Sequence, residues 1–376
     1  MNACQPLINK PGGRLDHRSA LELLTKTPLG ELMAQAHAER MRRHPDGRVT
    51  FVFDTNPNYT NVCLTRCRFC AFCRGAGDPQ AYTLSPDEVA RKVKAAADAG
   101  ATTVLLQGGH NPKIRLKDWL AYIRAIKSAA PAIHIHPFSP AEYVFMAQTE
   151  QCSVRDVLAA VYAEGVRTIP GGGAEILTEN VRRQIAPGKA TTAQWLGVCE
   201  EAHSMGFHTT ATMMFGHVER DDDIVTHLLA LRDLQDRTNG FTSFIPWSFK
   251  PGGNPLGKQI TRGAHPAKYV RIIALARLVL DNFEHIQSSW FSENVAAGQL
   301  GLLAGADDFG GILVEENVLQ QAGHQPTTTA EKVKTIIRRA GFTPAQRDTF
   351  YRVLDTFQPP QPLGIEAEDE RAITEE

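Results

Sequence analysis

Charge of either sign is missing as a dominant feature: 40 Lys and Arg stand against 41 Asp and Glu, a net charge of −1 over 376 residues. Such a balance makes no basic field, so a nucleic-acid partner is not expected. No run of about 18 apolar residues occurs, so no membrane-spanning helix is expected. The apolar stretch Ile272–Leu280 is short and holds Arg277, as an amphipathic helix would. Met1–Arg14 lacks the apolar core of a secretory leader. Repeats of fixed period are absent, which argues against a solenoid or propeller. Cysteine is scarce and unevenly placed. There are seven, an odd number, and Cys4, Cys152 and Cys199 stand alone. That pattern does not suit a disulfide framework and points to a reducing cytoplasm. The isolated three read as small buried apolar residues.

The other four cysteines crowd into Asn61–Arg74, NVCLTRCRFCAFCR. Cys63, Cys67 and Cys70 form a C-x3-C-x2-C run with Phe69 before the last, and Cys73 follows. A loop this short cannot fold every sulfur onto another without strain. It can wrap a metal, since thiolates select zinc, copper(I) or an iron–sulfur cluster. A zinc site of Cys63, Cys67, Cys70 and Cys73 would normally take two separated pairs, and here there is one run. Cys67, Cys70 and Cys73 fit the spacing of a bacterial ferredoxin, but that class is small and follows its last cysteine with proline. The remaining reading is a cluster with three protein ligands and one open iron. In spacing and aromatic, C-x3-C-x-Phe-C resembles the loop of radical S-adenosylmethionine (SAM) enzymes. The resemblance implies that SAM chelates the open iron and is cleaved reductively to a 5′-deoxyadenosyl radical.

Beyond the loop the chain alternates strand and helix. Leu15–Arg43 has helical spacing interrupted at Pro28, and Val49–Phe53 reads as a strand. Ser85 is a plausible N-cap for a helix over Pro86–Ala99. Strands follow at Thr102–Leu106, Ala132–His136, Val166–Ile169, His208–Phe215, Thr242–Trp247, His285–Ser289 and Asp307–Ile312, with helices between most of them. Eight strands alternating with helices point to an α/β chain with a (β/α)8 barrel. The expected division is an N-terminal helical extension over 1–48, the barrel over 49–325, a C-terminal helical segment over 326–357, and a mobile acidic tail over 358–376.

Function in such a barrel lies just after each strand. Gln107-Gly108-Gly109-His110 follows the second strand; paired glycines admit close backbone approach, or simply make a turn. His134 and His136 share a strand face and read as hydrogen-bonding or core residues rather than metal ligands. Gly171-Gly172-Gly173-Ala174-Glu175 follows the fourth strand. Glu175 either meets sugar hydroxyls or only favours a helix start. Met214 to Glu219 follows the fifth, with Gly216 and His217 between them. Phe244–Pro251 surrounds the sixth, where Trp247 is either a substrate wall or core.

In this order, NYTNVCLTRCRFCAF, LLQGGHNP, HPFSPAE, IPGGGAEIL, TTATMMFGHVE and GFTSFIPWSFKP resemble the radical SAM enzymes of the futalosine route to menaquinone and their deazaflavin relatives, over roughly Asp16 to Gly323. GGGAEIL and FIPW are more similar to the dehypoxanthine futalosine cyclases than to the aminofutalosine synthases. The resemblance implies that Cys63, Cys67 and Cys70 hold a [4Fe-4S] cluster. Gly108 and Gly109 would meet the SAM amino group, Glu175 its ribose, and Met214 and Gly216 its adenine. It implies an oxidative cyclisation of a small nucleoside-like substrate, an external electron donor of flavodoxin or ferredoxin type, and a general base among His217, Glu219 and His110. Arg66, Arg68, Arg74 and Lys250 are candidates for the substrate carboxylate. Two departures stand out: Cys73, where the family has a non-cysteine residue, and Trp290–Gln299, which matches the cyclases poorly. Aminofutalosine synthase, a deazaflavin (FO) synthase component and a non-catalytic zinc protein remain as alternatives.

Overall fold

The computed structural model describes residues 14–324 and 328–358. Cys4 and the tail from 359 onward lie outside the described residues. Short β-branched and aromatic runs buried on both faces form β1 (Arg48–Asn56), β2 (Thr103–Leu106), β3 (His134–Pro137), β4 (Thr168–Ile169), β5 (His208–Phe215), β6 (Phe241–Ser248), β7 (His285–Ile286) and β8 (Asp308–Glu316). Parallel ladders join β8, β1, β2 and β3, and separately β4 through β7.

Two seams close the ring. Between β7 and β8 the backbone does the work: Ser288 N–H donates to Asp308 O at 2.7 Å and Asp307 N–H to Ile286 O at 3.1 Å. Between β3 and β4 side chains do it. His134 Nε2 and His136 Nδ1 lie 2.6 and 2.8 Å from the same Thr168 Oγ1. Alternate residues of a strand share a face, so one hydroxyl serves both rings. The two histidines are hydrogen-bonding residues, as their spacing suggested, and the ring is the expected (β/α)8 barrel.

The helices follow local chemistry. Pro86–Asp98 opens with a full capping box, Ser85 N–H on Glu88 Oε2 (2.7 Å) and Glu88 N–H on Ser85 Oγ (3.3 Å). The N-terminal pair His17–Lys26 and Leu29–Arg43 breaks at Pro28 and packs outside the barrel, on Asp221–Thr238 and Pro266–Val279. Arg43 fastens it by donating to Asp281 O at 2.6 Å.

The segment 326–357 corrects an expectation. It is not wholly helical: helix Ala330–Arg339 is followed by β9 (Thr343–Arg347) and β10 (Val353–Thr356). β9 runs parallel to the first half of β1, with Arg48 opposite Thr343, while β2 takes Asp54 and Thr55 further along the same strand. TPAQR has no strand-like pattern because its stabilising contact is polar. Arg347 grips Asp308 with two bonds, at 2.6 and 3.1 Å, and lies 3.9 Å over the Tyr351 ring. Tyr351 stacks on His285 at 3.8 Å, Phe350 stands edge-on to His134 and His208, and Thr349 reaches Thr103 Oγ1 at 2.9 Å. Each partner is the first residue of its strand. The 347–351 turn therefore plugs the N-terminal end of the barrel, and chemistry is left to the other end.

Candidate active site

At the C-terminal end of β1 the chain leaves the barrel and lays the cysteine loop across the neighbouring strand ends. Backbone bonds fix its course. Cys63 N–H donates to Arg74 O (3.0 Å), Leu64 N–H to His110 O (3.0 Å), Cys70 N–H to Cys67 O (3.1 Å) and Arg68 N–H to Ile185 O (2.7 Å). Cys67 is buried, Cys63 and Cys70 are half-buried, and all three are free thiols. Burial pushes the Cys67 thiol up to about 12 and the Cys70 thiol up as well. The hydrogen bond from the Cys73 thiol holds Cys63 down. Cys73 Sγ itself sits 3.4 Å from the Cys63 carbonyl oxygen.

Three sulfurs drawn into one partly dry loop, each raising the cost of ionising the next, fit a bound metal cluster. Coordination to iron is what stabilises thiolates there. The donor set is three soft sulfurs on one loop, with Cys73 alongside.

Gly108 and Gly109 lie under this loop. Their nearest neighbours are protein: a Cβ on Gly108 would meet the Tyr59 ring at 2.6 Å, and one on Gly109 would meet Val62 O at 2.2 Å and Cys63 Cβ at 3.0 Å. The glycines are required because the cysteine loop presses on them. Glu142 was not foreseen as part of the site, although HPFSPAE contains it. Its buried carboxylate accepts from Gly108 N–H (3.1 Å), Tyr59 O–H (3.0 Å), Ser139 N–H (2.7 Å) and Ser139 O–H (2.8 Å). Its only sequence signal was a capping box, Ser139 to Glu142.

The first glycine after β4 leans on β5. A Cβ on Gly171 would lie 2.2 Å from Thr210 O, while Gly171 N–H bonds Thr210 Oγ1 at 2.8 Å. Glu175 follows in the left-handed region, φ 46, a conformation uncommon outside glycine and seen at constrained sites. Its carboxylate pairs with Lys189 at 2.6 Å, both side chains largely withdrawn from solvent. Nothing in the sequence marked Lys189, a single lysine in the loop APGKA.

After β5 the turn absorbs the two acid–base candidates found there. Glu219 accepts from Gly216 N–H (2.7 Å) and His217 N–H (2.8 Å). His217 receives Val218 N–H at Nδ1 (2.8 Å) and faces Met214 O through Nε2 (3.0 Å). Gly216 has φ +83, where a side chain would also strike Ala264. The third candidate, His110, is elsewhere, beside the cysteine loop. Its Nδ1 lies 2.6 Å from Thr65 Oγ1 and its ring stacks on Phe145 at 4.7 Å. Burial pushes it down to about 4, so it is neutral at pH 7.

Of the four cations considered for a substrate carboxylate, two are spent on the chain itself. Arg68 binds Gln184 O (3.0 Å), and Arg74 binds Ala71 O (2.8 Å) and Gln321 (2.9 Å). Arg66 is exposed, with φ 48. Lys250 stands at the rim beyond β6, 2.8 Å from Ser248 Oγ and 3.7 Å from Glu293. Glu293 also accepts from Ser248 N–H at 2.8 Å. It belongs to Trp290–Gln299, so that unusual stretch does reach the barrel mouth.

Comparison with known proteins agrees with this geometry. Residues 57–231 match the family model of the radical SAM superfamily, and residues 238–359 that of the CofH/MqnC C-terminal region. The chain is 38% identical to cyclic dehypoxanthine futalosine synthase of Halalkalibacterium halodurans, covering 92% of this chain and 93% of that one. It is 39% identical to 5-amino-6-(D-ribitylamino)uracil–L-tyrosine 4-hydroxyphenyl transferase of Methanopyrus kandleri, covering 92% and 95%. Methylornithine synthase shares the fold, with a TM-score of 0.70 at 18% identity, over 89% of this chain and 95% of that one. Among the described residues no helix is long and apolar enough to cross a membrane. A three-cysteine loop at the C-terminal mouth of a (β/α)8 barrel, matched over nearly its whole length by such relatives, places the chain in the radical SAM superfamily, among the enzymes that use a [4Fe-4S] cluster and SAM on a small-molecule substrate.

Proposed function

We propose that the chain is a cyclic dehypoxanthine futalosine synthase acting in menaquinone biosynthesis. The observation that carries this is the near-full-length similarity to two such synthases, 38% over 92% of the chain and 37% over 98%. When bound, the cluster and SAM supply a 5′-deoxyadenosyl radical that takes a hydrogen atom from the substrate ribose. Closure of the sugar carbon onto the benzoate ring would then release one proton and one electron, the electron passing to an external redox carrier.

The chain's own residues bind and orient. Cys63, Cys67 and Cys70 hold the cluster. Gly108, held by Glu142, and Gly109, held by Thr60 O, would border the SAM amino group; Glu175 would serve its ribose, and Met214 and Gly216 its adenine. Lys250, held by Ser248 and Glu293, meets the substrate carboxylate. The turn occupies both nitrogens of His217 and both oxygens of Glu219, so those two shape the adenine wall. The proton falls to His110, which is neutral and held at Nδ1 by Thr65; in the tautomer whose Nδ1–H donates to that hydroxyl, Nε2 accepts it. The setting is cytoplasmic, with a flavodoxin or ferredoxin type of reductant.

The test is an anaerobic assay of reconstituted enzyme with SAM, reductant and each candidate substrate in turn. Dehypoxanthine futalosine should be consumed, giving its cyclic product and 5′-deoxyadenosine. Turnover of 5-amino-6-(D-ribitylamino)uracil with tyrosine instead would reassign the enzyme to the transferase branch.

A further inference from the structure

We propose that Lys189 is the largely buried cation that makes the cluster reducible, by placing its ammonium against the cysteine loop at Phe69, between Cys67 and Cys70 in sequence. The inference rests on the cluster reading above and not on the identity of the substrate.

Two observations converge on it. The loop carrying Lys189 is built against the cysteine loop. Arg68 donates from its backbone to Ile185 O (2.7 Å) and from its guanidinium to Gln184 O (3.0 Å). A Cβ on Gly188 would stand 3.2 Å from Thr65 O, so glycine lets the two loops touch. Next, the lysine stem passes where Gly173 has no side chain; a Cβ there would lie 3.2 Å from Lys189 Cε. The ammonium ends 2.6 Å from Glu175 and 5.5 Å from the centre of the Phe69 ring, between Cys67 and Cys70 in sequence.

A buried ion pair is weak support for a fold, because desolvation offsets most of the attraction. Holding this one with a glutamate in the left-handed region costs still more. The pair is accounted for by what it faces. Three thiolates already give the site negative charge, and reduction adds one electron from the external donor. A fixed positive charge in a poorly screened loop stabilises that electron. Glu175 tethers the ammonium and moderates its field. Arg68, Arg74 and the buried Arg182 are committed to carbonyl groups, whereas Lys189 pairs with Glu175 and lies over Phe69 of the cysteine loop.

Lys189→Met and Lys189→Arg test this, with iron content, EPR of the reduced cluster, midpoint potential and SAM affinity measured without any nucleoside substrate. The methionine variant should reduce at a clearly more negative potential, and the arginine variant close to wild type. Failure of Lys189→Met alone to hold iron, with Lys189→Arg loaded normally, also upholds a requirement for charge. A wild-type potential in Lys189→Met overturns the inference. So do equal shifts in both variants, iron loss in both, or loss of SAM affinity at an unchanged potential. Because no substrate is present, an error in the proposed substrate would leave these readings intact.

Discussion

At the scale of single residues, the cysteine loop holds the three proposed ligands and a fourth thiol beside them. Cys73 is hydrogen-bonded to Cys63 and lies beside the three-thiol set. Cys63→Ala, Cys67→Ala and Cys70→Ala should each lose most bound iron and all activity, while Cys73→Ser keeps the cluster and SAM cleavage. Iron and sulfide analysis after anaerobic reconstitution decides it; loss of iron in Cys73→Ser with retention in Cys63→Ser would exchange the two roles. Gly109 gives a second expectation. Since its missing Cβ would strike Val62 O at 2.2 Å, Gly109→Ala should displace the cysteine loop and lower iron content as well as SAM affinity. Unaltered iron and SAM binding would remove that contact from the account. The cysteines were legible because soft ligands at fixed spacing have few other uses. Lys189 was not, because one lysine in a loop looks like any solvated cation until the fold buries it.

At the scale of elements, the eight barrel strands were legible and several helices were not. Pro140–Glu150 is buried on most of its surface, so it shows no apolar stripe of helical period. Val295–Leu303 is apolar nearly all round for its length and hides the same way. The first of these carries Glu142, which joins that helix to the glycine pair and to Tyr59. Glu142→Ala should cost on the order of 3 kcal/mol, since it strands buried donors. A drop in unfolding midpoint accompanied by weaker SAM binding is the expected result. β9 was illegible for a different reason: its anchor is an ion pair rather than an apolar pattern. Arg347→Ala leaves Asp308 charged and buried, and should destabilise by about 3–5 kcal/mol. Chemical denaturation checks this, and a loss under about 1 kcal/mol would mean the pair contributes little.

At the scale of the whole molecule, the sealed end makes stability depend on pH. Asp54, on β1, is fully buried, and a buried carboxyl is pushed up, here to about 7, with Arg347 pulling the other way and Asp308 adding to the push. Its Oδ1 has no hydrogen-bond partner. A folded pKa above the unfolded 3.8 means that the native state holds the proton more tightly. Stability from this group is therefore complete below about pH 4 and is lost as pH rises through about 7. Asp54→Asn should be close to neutral at pH 4 and stabilising by roughly 4 kcal/mol at pH 8. Unfolding midpoints at the two pH values measure it, and equal differences at both would discount the titration.

The same turn has a kinetic meaning. With Thr349, Phe350 and Tyr351 lodged against the strand starts, the barrel is a vessel with one mouth, and the cysteine loop lies across that mouth. Cofactor and substrate would then share one entrance, so that a molecule seated deeper in the barrel would leave only after one seated nearer the rim.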